Sequence, residues 1–135
     1  MPEYDKSKQL AVVMNDKFIC DLVGIKLEEA DQGFARAGLD IRENHLNGVG
    51  IVQGGVLYSI ADYAFAAASN YCGEKVVGVE TSISFVRSVS SGRICAEAKE
   101  VSRSRSFSVC RVDVRDGDGN LLAIMNARGY IIRPK

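Results

Sequence analysis

One carboxylate stands out by its surroundings. Asp62 is the only charged residue in the 26 residues from Gly48 to Gly73. Burying an unpaired charge is costly, so an acid in such a stretch must be paired, protonated or engaged in chemistry. Buried carboxylates with perturbed titration are candidates for a general base or a nucleophile. The alternative is an Asp that accepts hydrogen bonds from a neighbouring loop. A second feature lies upstream, where Gln53-Gly54-Gly55 opens an expected helix with two consecutive bare positions. First-turn N–H groups have no intrahelical partner, and the helix dipole is positive at that end. With no Cβ to shield it, the Gly54 N–H can receive a carbonyl oxygen closely, as an oxyanion hole does. The plainer reading of the glycine pair is close packing of the helix under a sheet.

Other chemistries lack their residues. The four cysteines, Cys20, Cys72, Cys95 and Cys110, show no metal-ligand spacing, and His45 is the single histidine, so no metal site is expected. There is no GxSxG elbow for a serine nucleophile. Lys+Arg and Asp+Glu both total 17, a net charge of zero, which argues against nucleic acid or an anionic membrane as partner. The seven-residue run Ser102 to Ser108 superficially resembles an Arg/Ser-rich RNA segment, but it sits at an expected strand connection. The most apolar stretch contains Asp62 and several glycines, so no membrane span is expected. The polar start, Met1 to Lys8, lacks the apolar stretch of an export signal. A cytoplasmic location with reduced cysteines is therefore expected.

The elements that must position these residues follow from periodicity. At 135 residues one domain spanning 1–135 is expected. Leu10, Val13, Met14, Phe18 and Leu22 have helical spacing, which predicts an amphipathic helix over about 5–22. Residues 24–30 and 33–41 read as two strands around a tight turn at 31–33, and 42–52 as a loop. The central helix is expected over about 54–71, apolar nearly all round and therefore buried. Val77, Val79, Thr81, Ile83 and Phe85 alternate with polar or small residues, the period of a strand. Further strands are expected at 94–98, 107–115 and 121–132, with turns at 88–92 and 116–120. These short turns predict antiparallel pairing. The expected class is α+β: about six antiparallel strands around one long helix.

Gly54 and Asp62 lie about 12 Å apart along one helix at 1.5 Å per residue. One carbonyl cannot touch both within a chain. If both act on it, Asp62 must come from a second copy, which predicts a homodimer with the site at its interface.

The stretch from His45 to Asp62 resembles the signature N-x-x-x-x-x-H-G-G-x-x-x-x-x-x-D of hotdog-fold thioesterases, most closely their PaaI-like branch. Ser84-Phe85-Val86-Arg87 is similar to a strand end of that family, and the segment 117–123 is similar to its D-G-x-L-x-A. The resemblance covers most of the chain and implies a hotdog fold and hydrolysis of an acyl-CoA, with coenzyme A as part of the substrate and no cofactor. It implies that Asp62 is the catalytic acid, acting as general base or nucleophile from the opposite subunit. Gly54 matches the glycine whose N–H polarises the thioester carbonyl, and Asn47 the asparagine that positions substrate or water. Relatives are commonly tetramers built as dimers of dimers.

Two departures stand out. Gln53 replaces the usual histidine, so an orienting role survives there while an acid–base role does not. Gly78 stands where some relatives place a Ser or Thr to hold the attacking water. His45 reads as an exposed loop histidine rather than a substitute for the missing imidazole. The CoA phosphates need cations, for which Arg87, Arg103 and Arg105 are candidates beside the plain reading of solvated surface arginines. Gly55, Tyr58, Phe65 and Tyr71 are expected around the acyl group, which is aromatic or medium-chain. Two rival functions remain at this stage: a non-catalytic acyl-CoA-binding regulator on the same fold, favoured by Gln53 and Gly78, and a hotdog dehydratase or hydratase, for which the chain lacks the histidine motif.

Overall fold

The computed structural model describes residues 3–133. Asp5 starts the first helix, α1 (Lys6–Val13), by accepting hydrogen bonds from the N–H groups of Ser7 and Lys8. The expected single helix over 5–22 does not continue. Asp16 is extended, and its carboxylate accepts from the Ile19 N–H at 3.0 Å. That local contact competes with helix propagation. A short π-helical segment, Lys17–Val23, follows and stops at Gly24, which takes a left-handed φ of 89°. The break changes the buried set: Val13, Ile19 and Val23 face the core, whereas Met14, Phe18 and Leu22 are exposed. Gln9 is fully buried and donates to the carbonyls of Asp31 (2.7 Å) and Ala67 (2.8 Å).

The strands are β1 (Lys26–Asp31), β2 (Phe34–Asp40), β3 (Lys75–Phe85), β4 (Arg93–Arg103), β5 (Phe107–Asp116) and β6 (Leu121–Ile132). They form one sheet in the order β1-β2-β4-β5-β6-β3, antiparallel throughout. The link between β3 and β4 is not the hairpin that the turn at 88–92 implied. β3 pairs with β6 and forms one edge of the sheet. Residues 86–92 instead cross the end of the sheet. The N–H groups of Val86 and Arg87 donate to the Leu122 carbonyl, and Val89 accepts from the Val52 N–H.

The central helix, α2 (Gly54–Ser69), lies in the curve of the sheet. It ends before Asn70, whose side chain donates to the Ala66 carbonyl and accepts from the Val76 N–H, both at 2.8 Å. The strands face it with small side chains. Ala35 pairs with Ala98 and Ala37 with Ala96, and all four have no exposed surface. Methyl groups there let the helix sit close to the sheet, and Leu57, Ile60, Ala64 and Phe65 are buried against it. One stripe of α2 stays uncovered: Gly55, Tyr58, Ser59, Asp62 and Ala66 are each at least partly accessible. Their spacing of three and four residues puts them on one face.

A bulge interrupts β3. Gly78 pairs with Gly129, but Glu80 pairs with Arg128, so Val79 is the extra residue. The alternation read from the sequence as one continuous phase therefore splits. Val77 pairs with exposed Tyr130, on the outer face. Beyond the bulge Thr81, Ile83 and Phe85 pair with buried Ala127, Met125 and Ala123, on the helix face.

Candidate active site

The approach to α2 is a tightly tied loop. His45 is buried, not exposed as expected. Its Nδ1 accepts from the Arg42 N–H at 2.9 Å, so Nε2 carries the proton and donates to the Val23 carbonyl at 2.7 Å. Both ring nitrogens are used in holding the loop, which accounts for its burial and removes it from acid–base work. Asn47 Oδ1 accepts from the N–H groups of Val49 (3.0 Å) and Ile51 (3.3 Å). The Nδ2 donor is the part of that side chain left for a ligand. A cleft of about 250 Å³ opens between Asn47, Gly54, Leu57, Phe85 and Arg87. Gly54 lies against Phe85: a Cβ added there would stand 3.3 Å from the ring.

Asp62 faces a different opening. A groove of about 370 Å³ runs between Tyr58 and Asp62 on α2 and Gly78, Val79, Glu80 and Thr81 on β3. Asp62 is half-buried, and among the described residues no hydrogen bond contributes to its titration. Burial first, and the negative charge of Asp16 second, raise its pKa above the ordinary carboxylate range. The reading of Asp62 as a plain loop-capping acceptor therefore finds no partner here. Opposite it the hydroxyls of Tyr58 and Thr81 lie 2.8 Å apart. Sequence reasoning missed Thr81. It pointed to Gly78 as the place of a water-holding hydroxyl, and only the bulge brings Thr81 to the helix face.

The remaining candidates divide. Gly54, Asn47 and Arg87 share one cleft, while Asp62 and Tyr58 share the other. Gly55 is exposed beside the Gln53 side chain. Phe65, expected to line the acyl pocket, is buried behind Gly78 and Gly129 and supports the groove from beneath. Tyr71 is also buried and donates to Glu100 at 2.6 Å. Arg103 is corrected as a phosphate ligand. Its guanidinium is bound by Glu100 (2.9 Å), Glu74 (3.7 Å) and the Ser69 carbonyl (3.0 Å), and stacks on Tyr71. Its side chain is 8% exposed, which leaves no face for a phosphate. Arg105 is exposed at the β4–β5 turn. That turn adjoins Phe107, which pairs through Tyr130 to the Val77 end of β3, opposite the Phe85 end where Gly54 lies. All four cysteines are free thiols. Among the described residues, no helix is long and apolar enough to cross a membrane.

The Thioesterase superfamily model matches residues 49–123, which carry Gln53, Gly54, Gly55 and Asp62. The chain belongs to this family. A relative from Archaeoglobus fulgidus is 32% identical over 120 residues, 88% of this chain and 76% of the relative. The acyl-coenzyme A thioesterase PaaI of Escherichia coli is 28% identical over 129 residues, 94% of this chain and 92% of that protein. The solved structure of the E. coli PaaI protein superposes with a TM-score of 0.89 at 25% identity, covering 96% of this chain and 94% of that one. The protein is a PaaI-like thioester hydrolase with the hotdog fold.

Proposed function

We propose that the protein hydrolyses the thioester of an aromatic or medium-chain acyl-CoA in the cytoplasm, as a homodimer or a dimer of such dimers. Its sites would lie between subunits, each taking the Gly54 end of one α2 and Asp62 of the partner subunit. The observation that carries this is the separation of the two openings. Gly54 and Asp62 line different clefts of one chain, about 12 Å apart along α2. The long edge strand β3 supports the pairing, since it lies along both clefts and exposes Val77, Val79 and Phe85.

In this reading the thioester oxygen binds the Gly54 N–H, and the Nδ2 of Asn47 orients the acyl group. Burial raises the pKa of Asp62, which makes its carboxylate a stronger base than an exposed one. As general base it takes a proton from water, and the hydroxide adds to the carbonyl carbon. Collapse of the tetrahedral intermediate breaks the C–S bond, and the acid's proton passes to the CoA thiolate. As nucleophile the same carboxylate attacks directly and expels the CoA thiolate, breaking the C–S bond; water then cleaves the acyl–Asp62 anhydride to the free acid and the carboxylate, and the proton released passes to the thiolate. Thr81, fixed by Tyr58, lies where a water beside Asp62 would need an acceptor or donor. Arg87 is the phosphate-binding cation of this site, with Arg105 reaching it only from a partner subunit. No step calls for a metal or redox cofactor, and Gln53 takes no acid–base step.

The test is release of free thiol from a panel of acyl-CoAs by the wild type and Asp62→Ala. Loss of about 10²–10⁴ in rate is expected for a general base. Equal activity of the two proteins would overturn the mechanism. Thermal stabilisation by CoA esters without turnover would mark a binding protein instead.

A further inference from the structure

We propose that Gln53 is a displaceable plug on the oxyanion donor: in the resting protein its side-chain carbonyl occupies the Gly54 N–H and must leave before a thioester carbonyl can bind. This rests on the thioesterase reading of the Gly54 cleft given above. The Gly54 N–H donates to Gln53 Oε1 at 3.1 Å. Only the oxygen of a carboxamide accepts, so the contact fixes the amide with its carbonyl on the donor and its NH₂ turned away. The side chain folds back over the helix start, with Cγ 3.8 Å from the place a Gly55 Cβ would take. The Phe85 ring lies against Gly54 as well, 3.3 Å from its Cβ position. The donor is therefore satisfied within the chain rather than open.

The shape of the backbone explains why this residue can do it. Gln53 takes φ −58° and ψ 134° as the last residue before α2, where Ser, Thr, Asp and Asn usually cap N–H groups further along. The longer glutamine side chain reaches the next N–H instead. Because the contact is exposed, water competes with it, and its removal changes carbonyl binding several-fold rather than all-or-none. The plug acts on the carbonyl alone. A ligand with the same nucleotide and pantetheine but no carbonyl leaves Gln53 where it is.

Calorimetric binding separates the two parts. The probes are free CoA and the phenylacetonyl thioether of CoA, a ketone in which a methylene parts sulfur from carbonyl and blocks hydrolysis. Gln53→Met keeps the shape of the side chain without its amide, at an exposed position that does not disturb the core. It is expected to bind the ketone about fivefold more tightly than the wild type and CoA equally well. Gln53→Ala should behave alike. Gln53→Glu places a carboxylate on the same N–H, where the helix dipole and the charge strengthen the contact, and should weaken ketone binding while sparing CoA. Ketone affinity in Gln53→Met equal to or below that of the wild type overturns the plug, even when Asp62→Ala is inactive. A wild type that binds neither probe overturns the reading of the cleft and the plug with it.

Discussion

Arg103→Met distinguishes a buried structural cation from a phosphate ligand. The guanidinium is held by Glu100, Glu74, the Ser69 carbonyl and the Tyr71 ring, with Cys72 Sγ at 3.3 Å. The side chains of Glu100 and Glu74 are only 9% and 7% exposed. Methionine fills most of the volume and leaves both carboxylates short of their cation. Breaking a buried pair in this way costs about 3–5 kcal/mol. Here the lower end applies, because Glu100 keeps the hydroxyls of Tyr71 (2.6 Å) and Ser108 (2.5 Å), and Glu74 keeps Arg133 (2.7 Å). The expected loss is about 3 kcal/mol, out of roughly 5–15 for a domain of this kind. The Tm should fall by about 10 °C. Urea unfolding monitored by circular dichroism measures the loss as a lower midpoint at unchanged slope. The KM for an acyl-CoA, taken below the unfolding range, should stay at the wild-type value. A loss under about 1 kcal/mol together with a raised KM would refute the argument and return Arg103 to the phosphate.

Three further outcomes follow from the packing around Asp62 and Gly129. Asp62 has a raised folded-state pKa, so its ionised form opposes folding at neutral pH, and that penalty fades as pH falls through the raised value. Asp62→Asn should therefore melt above the wild type at neutral pH and converge with it in acid, and scanning calorimetry showing no gap at pH 7 would contradict the burial argument. The wild-type rate should fall on the acid side at a pH above the ordinary carboxylate range, which a pH–rate profile reads directly. Gly129→Ala puts a Cβ into Val76 Cγ1 and 3.0 Å from the Phe65 ring; a loss of about 1–3 kcal/mol is expected from overpacking, and wild-type melting would show that β3 can slide outwards.

Residues with strong local patterns were legible in the sequence. The apolar run predicts α2 to within two residues at its end, and Asp116-Gly117-Asp118-Gly119-Asn120 fixes the β5–β6 turn through the Asp116 carboxylate, which accepts from Asp118 and Asn120. Asp62 and Gly54 were legible because an acid and two bare glycines are conspicuous in an apolar run. What was not legible depends on distant partners or on one-residue changes of phase. The bulge at Val79 puts Val77 on the outer face while Thr81, Ile83 and Phe85 share the helix face, and in the sequence Thr81 reads as one member of that alternation rather than as a partner of Asp62. Asp16 stops a helix whose apolar spacing runs on past it. Arg103 reads as a surface cation because its two glutamates lie on β4 and after α2, and His45 because its acceptor is a carbonyl 22 residues away. The pairing of β3 with β6 is set by the whole sheet and by no local turn.

The uncovered stripe on α2 has a consequence for how this chain can vary. Each helical residue turns about 100° around the axis. Deleting or inserting one residue between Gly54 and Asp62 would rotate the acid off the stripe to the place of Ala61 or Tyr63, both buried, while leaving composition and apolar content nearly unchanged. Length variation is thus forbidden within the span of α2, yet open at the Ser104–Ser106 and Gly117–Gly119 turns, where exposed residues join strands without touching either cleft. Among descendants of this sequence, those turns can gain or lose residues, but the count separating the glycine from the acid cannot change.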